Sequence, residues 1–223
     1  MASGFPGRSG GLFRQHIEAK YSTVAVDDRE KLIDALVGLI EYGRDERQSL
    51  HSFLDQAAHL IFRSLAFDEI VIGLYDRKEN DYCHEVVFGY RNDIADDLKR
   101  LRYSNEDMAN QKRSPSVKIG KLSEFSHMEA LPKSERKLFD GSSTGTNLRS
   151  SMDVFDKGDF IDVWMRDPRL GLVGWIKVSH SHDSKLPPKI NVLWLEIIAS
   201  ICACVVSQRW HQEDRARRGA DGR

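Results

Sequence analysis

The 223 residues carry 33 basic and 34 acidic side chains, a formal net charge of −1. So even a balance supplies no global field to draw the chain to nucleic acid or an anionic membrane, and it lacks the basic face of a dedicated nucleic-acid binder. The length suits one generous domain, or one domain with long helical arms, and is ample to bury a core without covalent staples. Three cysteines, Cys83, Cys202 and Cys204, form no disulfide framework and fit a reducing, cytoplasmic setting.

Residues 1–26 read as a flexible N-terminal arm, with Gly4, Gly7, Gly10, Gly11 and Pro6 near its start and no apolar core of a secretory signal. The arm holds no acidic residue before Glu18, a trait it shares with organelle leaders. Residues 27–208 form the expected domain, and 209–223 a polar, frayed tail with five arginines. Within the domain, Leu32, Ile33, Leu36, Val37, Leu39 and Ile40 recur at helical spacing, and Gly43 ends that run. A second helix follows with Leu50, Phe53, Leu54, Ala57, Leu60, Ile61 and Leu65 on one face.

At Asp68 the period changes from helix to strand. Glu69–Tyr75 alternates, Asp76–Asp81 supplies a polar loop, and Tyr82–Phe88 returns as the second half of a hairpin. The spacing then predicts a helix over 92–109 and a short strand over 116–119. Residues 131–151 read as a polar surface loop around Gly141–Thr146, which lacks the lysine of a phosphate-binding loop. Asp159–Met165 and Leu172–Val178 make a second hairpin across a turn built on Arg166-Asp-Pro-Arg169. After Pro187 and Pro188 a last helix, 190–208, is apolar on nearly every face apart from Glu196. Its apolar stretch, Val192–Val206, falls short of the about 20 residues of a membrane span, so it reads as a buried helix.

The order helix, helix, hairpin, variable middle, hairpin, helix resembles GAF domains over residues 45–208. The strand Gly171–Val178, a short polar link and the closing helix resemble the family's C-terminal half, and Leu50–Phe88 its opening helix and first hairpin. PAS domains share a related plan, but the terminal helix favours GAF. The resemblance implies an α+β fold with a central antiparallel sheet of about six strands and helices on one side. A cavity covered by the middle segment then lies on the other side. It also implies dimers formed through terminal helices. The apolar surface of two N-terminal helices plus a C-terminal one points to a homodimer by a separate route.

Several chemistries find little support in the pattern. Cys202 and Cys204 lie two apart on a helix and point to different faces, so a cysteine-based reductase of this fold has only Cys83 to work with. No cysteine between His84 and Ile201 is available to hold a bilin, and the Asn-Lys-Phe-Asp-Glu type motif of cyclic-nucleotide-binding relatives is absent. His180 and His182 alternate at a strand end about 7 Å apart, beside Asp183, a pairing that suits a solvated link or a pH-sensitive group better than a metal site.

The second hairpin carries the strongest hint of a binding surface. Alternation groups Trp164 with Phe160 and Asp162, and Trp175 with Val173 and Lys177, so one face is aromatic yet polar. The expected ligand-binding or interface residues are therefore Trp164, Trp175, Tyr75, Phe88, Asp162 and Lys177. The reading is a non-catalytic sensory or regulatory domain that binds a small molecule or a protein and passes its signal to a partner protein as a dimer. A scaffold whose cavity is filled by its own side chains is the first rival, and a redox enzyme using Cys83 the second.

Overall fold

The computed structural model describes residues 28–109, 116–127, 151 and 153–221. The expected arm at 1–26 and the loop centre Gly141–Thr146 lie outside them. The chain divides into two compact units, residues 1–37 and 38–223. In the first, the described part is the start of helix α1 (Asp28–Arg44), where Leu32 and Leu36 are buried and Ile33 and Val37 exposed.

The second unit begins with the rest of α1. Its end packs tightly: a Cβ added to Gly43 would lie 2.7 Å from Val205 and 2.9 Å from Phe53. Arg209 donates to the carbonyls of Gly43 and Asp45 at 3.1 and 2.8 Å, satisfying acceptors that a helix C-terminus leaves open. Helix α2 (Leu50–Leu65) starts at Ser49, whose hydroxyl accepts from the Ser52 N–H at 3.0 Å. It buries Phe53, Leu54, Ala57, Ala58, Ile61 and Leu65.

Strands β1 (Phe67–Asp76) and β2 (Asp81–Phe88) form the first hairpin, its turn held by the Asp76 carboxylate accepting from the N–H groups of Lys78 and Glu79. Helix α3 (Asn92–Arg100), the two-residue strand β3 (Arg102–Tyr103) and helix α4 (Asn105–Ala109) replace the single helix expected over 92–109. Leu101 turns extended, and the next two residues pair with β2, which brings the Tyr103 ring onto the sheet. Strands β4 (Ser116–Lys118), β5 (Ser123–Ser126), β6 (Phe160–Asp167) and β7 (Gly171–Ser181) precede helix α5 (Lys189–Asp221).

All strand pairs are antiparallel, in the order β3-β2-β1-β7-β6-β5-β4. The sheet thus has seven described strands rather than about six, because β3 and β5 were too short to show a period. Both expected hairpins are present, and β1 against β7 joins them. Ile70 and Ile72 of β1 share a face with Val178 and Ile176 of β7, all four fully buried. Helix α2 lies on β1 and β2, and α5 on β6 and β7.

Helix α5 runs to Asp221, so the expected frayed tail from 209 is helical through that residue. Tertiary contacts hold it: Arg209 and Gln212 bond the end of α1 and the residues after it, Trp210 is buried, and Arg77 from the β1–β2 turn bonds Asp214 at 2.6 Å while lying 5.5 Å over the Trp210 ring. A segment of this helix is long and apolar enough to cross a bilayer, but 56% of it is buried inside the protein. Its single interior acid has a clear task. Glu196, 8% exposed, accepts from the Leu122 N–H at 2.6 Å and the Ser123 hydroxyl at 2.7 Å, tying α5 to β5.

Replacing Glu196 by Ala strands two donors, one of them fully buried, and is expected to lower unfolding free energy by about 2–3 kcal/mol. Glu196→Gln, which keeps one acceptor, should lose clearly less. Urea melts of the two variants check this, and equal losses would mean that packing rather than hydrogen bonding sets the cost.

Candidate functional site

The face of the sheet turned away from α2 and α5 is built around one close approach. Gly73 of β1 pairs with Trp175 of β7, and a Cβ on Gly73 would fall inside the indole. The ring fills that missing side chain's place and is only 3% exposed. Around it stand Tyr82 at 6.1 Å, His84 at 5.5 Å and Tyr103 at 5.9 Å between ring centroids, all in tilted or edge-on arrangements. His84 Nδ1 donates to the Leu98 carbonyl at 2.8 Å, holding the end of α3 to β2. Desolvation pulls this imidazole down to about 4, opposed by the Leu98 bond and aided by the Lys177 charge, so His84 is neutral at pH 7.

Register carries the face outward onto β6 and β5. Trp164 pairs with Trp175, Asp162 with Lys177, and Glu124 with Asp162. The Lys177 ammonium sits 3.9 Å over the Phe160 ring and 3.8 Å from Asp162 Oδ1. That is an ion pair but too long for a hydrogen bond, and Oδ1 accepts none among the described residues. Burial pushes the Asp162 carboxyl above its ordinary range; Lys177 opposes this shift and Glu124 adds to it. Glu124 accepts from the Ser116 hydroxyl at 2.7 Å.

A second polar chain lies on the β1 side. Ser179 donates to Glu69 Oε2 at 2.9 Å, and Tyr90 lies 3.0 Å from the same serine oxygen. A carboxylate only accepts, so the serine proton goes to Glu69 and the Tyr90 hydroxyl donates to Ser179. Burial raises the Tyr90 phenol well above its usual value, which keeps that proton in place.

The structure divides the residues expected from sequence. Trp164, Trp175, Asp162 and Lys177 share this face. Tyr75 lies at the far end of β1, hydrogen-bonded to Asn80, with its ring 5.0 Å from Tyr82 and 6.5 Å from Trp210. Phe88 is on the opposite face, 4.7 Å from His59 and 5.2 Å from Phe62 of α2. A β-bulge explains its placement. The register slips between Ile72 and Gly73, leaving Glu85 as an extra residue, so Tyr82 and His84 face Trp175 while Val86 and Phe88 face α2. His84, Tyr103, Tyr90, Glu69, Ser179 and Glu124 were not among the expected site residues. Of these only His84 carried a usable signal, its alternation with Tyr82.

The remaining candidates stand elsewhere. The three cysteines are free thiols, Cys202 buried and Cys204 exposed. Burial pushes the Cys202 thiol up to about 12 and raises that of Cys83. His180 Nδ1 and His182 Nε2 both engage the Asp68 carboxylate, at 2.6 and 2.9 Å, tying the end of β7 to the start of β1 on the α2 side. His84 is on the other face and does not join them. An open cleft of about 350 Å³ lies between the β1–β2 turn and the end of α5, beside Cys83 and Trp210. Its Arg77 is already bonded to Asp214.

Because the unfolded imidazole titrates near 6.5 and folded His84 only at about 4, the unfolded chain takes up a proton first as pH falls. Stability from this group is therefore complete above pH 6.5 and lost between there and pH 4, by up to about 3 kcal/mol. His84→Asn, which keeps a donor near Nδ1, should flatten that part of the stability–pH curve in chemical melts; an unchanged slope would show that other groups control it.

No family model matches the sequence, and no curated protein matches it. Solved structures do match. A GAF domain/HD domain protein from Geobacter sulfurreducens aligns with TM-score 0.51 at 12% identity, over 72% of this chain and 93% of that one. The GAF domain of a phosphoenolpyruvate-protein phosphotransferase from Acinetobacter aligns with TM-score 0.50 at 13% identity, over 79% and 92%. The corresponding domain from Coxiella burnetii aligns with TM-score 0.50 at 9% identity, over 82% and 96%. At such identities the likeness speaks for architecture alone: the chain has the fold of GAF domains.

Proposed function

We propose that residues 38–223 form a non-catalytic sensory or regulatory module that binds a small molecule on the Trp164–Trp175 face. One observation carries this reading. The sheet face not covered by α2 and α5 combines aromatic rings with an under-bonded carboxylate and a lysine, where a purely structural face would be dry and apolar. The raised thiols of Cys83 and Cys202 support a non-catalytic role, since a neutral thiol is a poor nucleophile. Among the matched structures the fold occurs as the GAF domain of a phosphotransferase, a setting that suits a regulatory module. Three free thiols support a reducing, cytosolic location.

The module acts as a homodimer through its C-terminal helix. Ile190, Leu193 and Ile197 are 44%, 40% and 42% exposed, and exposed Cys204 continues the same stripe of α5. Their spacing of three, four and seven residues is that of a helix-pairing seam. A second reading has one observation in its favour: Trp175 is covered by the chain's own Tyr82, His84 and Tyr103, as in a scaffold domain with a filled face.

Native mass spectrometry of protein purified gently from its own source separates the two. A reproducible added mass, absent from a folded Trp164→Leu variant, is the expected result. A ligand-free spectrum from the wild type would favour the scaffold. In size-exclusion chromatography with light scattering, the double variant Leu193→Glu and Ile197→Glu should run as a monomer where the wild type is a dimer. A dimer that survives both charges would place the contact elsewhere.

A further inference from the structure

We propose that the ligand of this face is a flat organic cation, an amidine- or guanidine-type group on an aromatic ring, with its N–H donors on Asp162 and its ring against Trp164. The inference rests on the binding role given above and adds the chemical class. Its starting point is Asp162 Oδ1, a buried carboxylate oxygen that accepts no hydrogen bond among the described residues. Buried acceptors are rarely left unpaired, because the lost hydration has no other compensation. A donor arriving with a ligand supplies what the chain does not.

Lys177 does not supply it. Its ammonium stands 3.9 Å over the Phe160 ring and 3.8 Å from Asp162 Oδ1, beyond hydrogen-bond reach of the carboxylate, so the ring and the carboxylate share the charge. The other acids of the face are already served: Glu69 by Ser179 and Glu124 by Ser116. Among the described acids of this face, the acceptor left without a donor therefore belongs to Asp162.

The carboxylate at the centre of the face sets the sign of the ligand. Glu69, Glu124 and Asp162 lie on this face by register, against Lys177, Lys118 at the exposed edge strand β4 and Arg166 at the exposed end of β6 beside Tyr82, so the acids gather around Asp162 while two of the cations stand at the rim. His84 adds nothing, since burial keeps it neutral. An anion would sit beside a carboxylate oxygen that lacks a hydrogen-bond donor among the described residues, in a poorly solvated place where like charges repel strongly. A planar cation meets both the carboxylate and the π face of an indole. Trp175 is enclosed by its neighbours, whereas its cross-strand partner Trp164, two residues from Asp162 on the same side of β6, is only partly buried.

Three probes of one shape and different charge test this: benzamidine (cationic), benzamide (neutral) and benzoate (anionic), each titrated into the full chain by calorimetry with tryptophan fluorescence in parallel. Benzamidine is expected to bind saturably, benzamide about tenfold or more weakly, and benzoate not measurably. Asp162→Asn should weaken benzamidine at least tenfold, while Lys177→Met, which removes a competing cation, should strengthen it. The order of the three probes on the wild type needs no variant, so a variant that fails to fold leaves the test intact. Benzoate binding as tightly as benzamidine, or benzamidine binding unchanged in Asp162→Asn, overturns the proposal. Benzoate binding with a fluorescence response lost in Trp164→Leu would keep the site and discard only the cation. No binding by any probe also overturns the cation, and joined to a ligand-free native spectrum it removes the binding role as well.

Discussion

The open face of this sheet depends on the approach of the Trp175 indole to the backbone at Gly73. Any side chain at that position would occupy the ring's volume, and close-packed interiors absorb such an intrusion only by moving backbone. With glycine there, the ring lies across β1 and becomes the wall against which Tyr82, His84 and Tyr103 pack. Through the His84 bond to Leu98, the same contact positions α3 over β2. A ring needed for packing thus also sets the floor of the candidate site, and its cross-strand partner Trp164 sits beside it by register alone.

The two faces of the sheet follow different rules. Under α2 and α5 the strands contribute Ile70, Ile72, Ile176 and Val178, and the single intruding acid, Glu196, is fully engaged by Leu122 and Ser123. That is the economy of a core: apolar area removed from water, with the buried carboxylate supplied with donors. On the other face the largely buried Asp162 has an oxygen that meets the Lys177 charge at 3.8 Å but accepts no hydrogen bond among the described residues, and desolvation raises its carboxyl. Such exceptions to local consistency concentrate at functional sites. The same contrast explains why the cleft by Cys83, although roomy, is the weaker candidate: its Arg77 is already paired with Glu213 and Asp214.

Helix α5 links the regions. Its inner side rests on β6 and β7, its far end is clasped by Arg77 and Trp210, and Arg209 closes the end of α1. The outer stripe of Ile190, Leu193 and Ile197 is left exposed. One continuous helix therefore touches the strands that carry Trp164 and Trp175 and also carries an exposed apolar stripe.

The elements with a long, unbroken period were legible in the sequence: α2 from its apolar face, both hairpins from their alternation, and α5 from its apolar run. Alternation also sufficed to group Trp164, Asp162, Trp175 and Lys177, because β6 and β7 keep their register through that stretch. Short elements carried no period, so β3 and β5 went unseen, and the polar composition of 209–221 hid a helix that is held by tertiary contacts instead of its own amphipathicity. Phe88 shows the limit most plainly. Read as a simple strand, β2 places it with Tyr82 and His84, but one extra residue at Glu85 turns everything beyond it to the other face. Composition and period thus determined which segments are strands and helices and much of what each face would hold. The tertiary structure decided phase, partner and burial, because a bulge, a cross-strand pair and an unserved carboxylate exist only once distant segments meet.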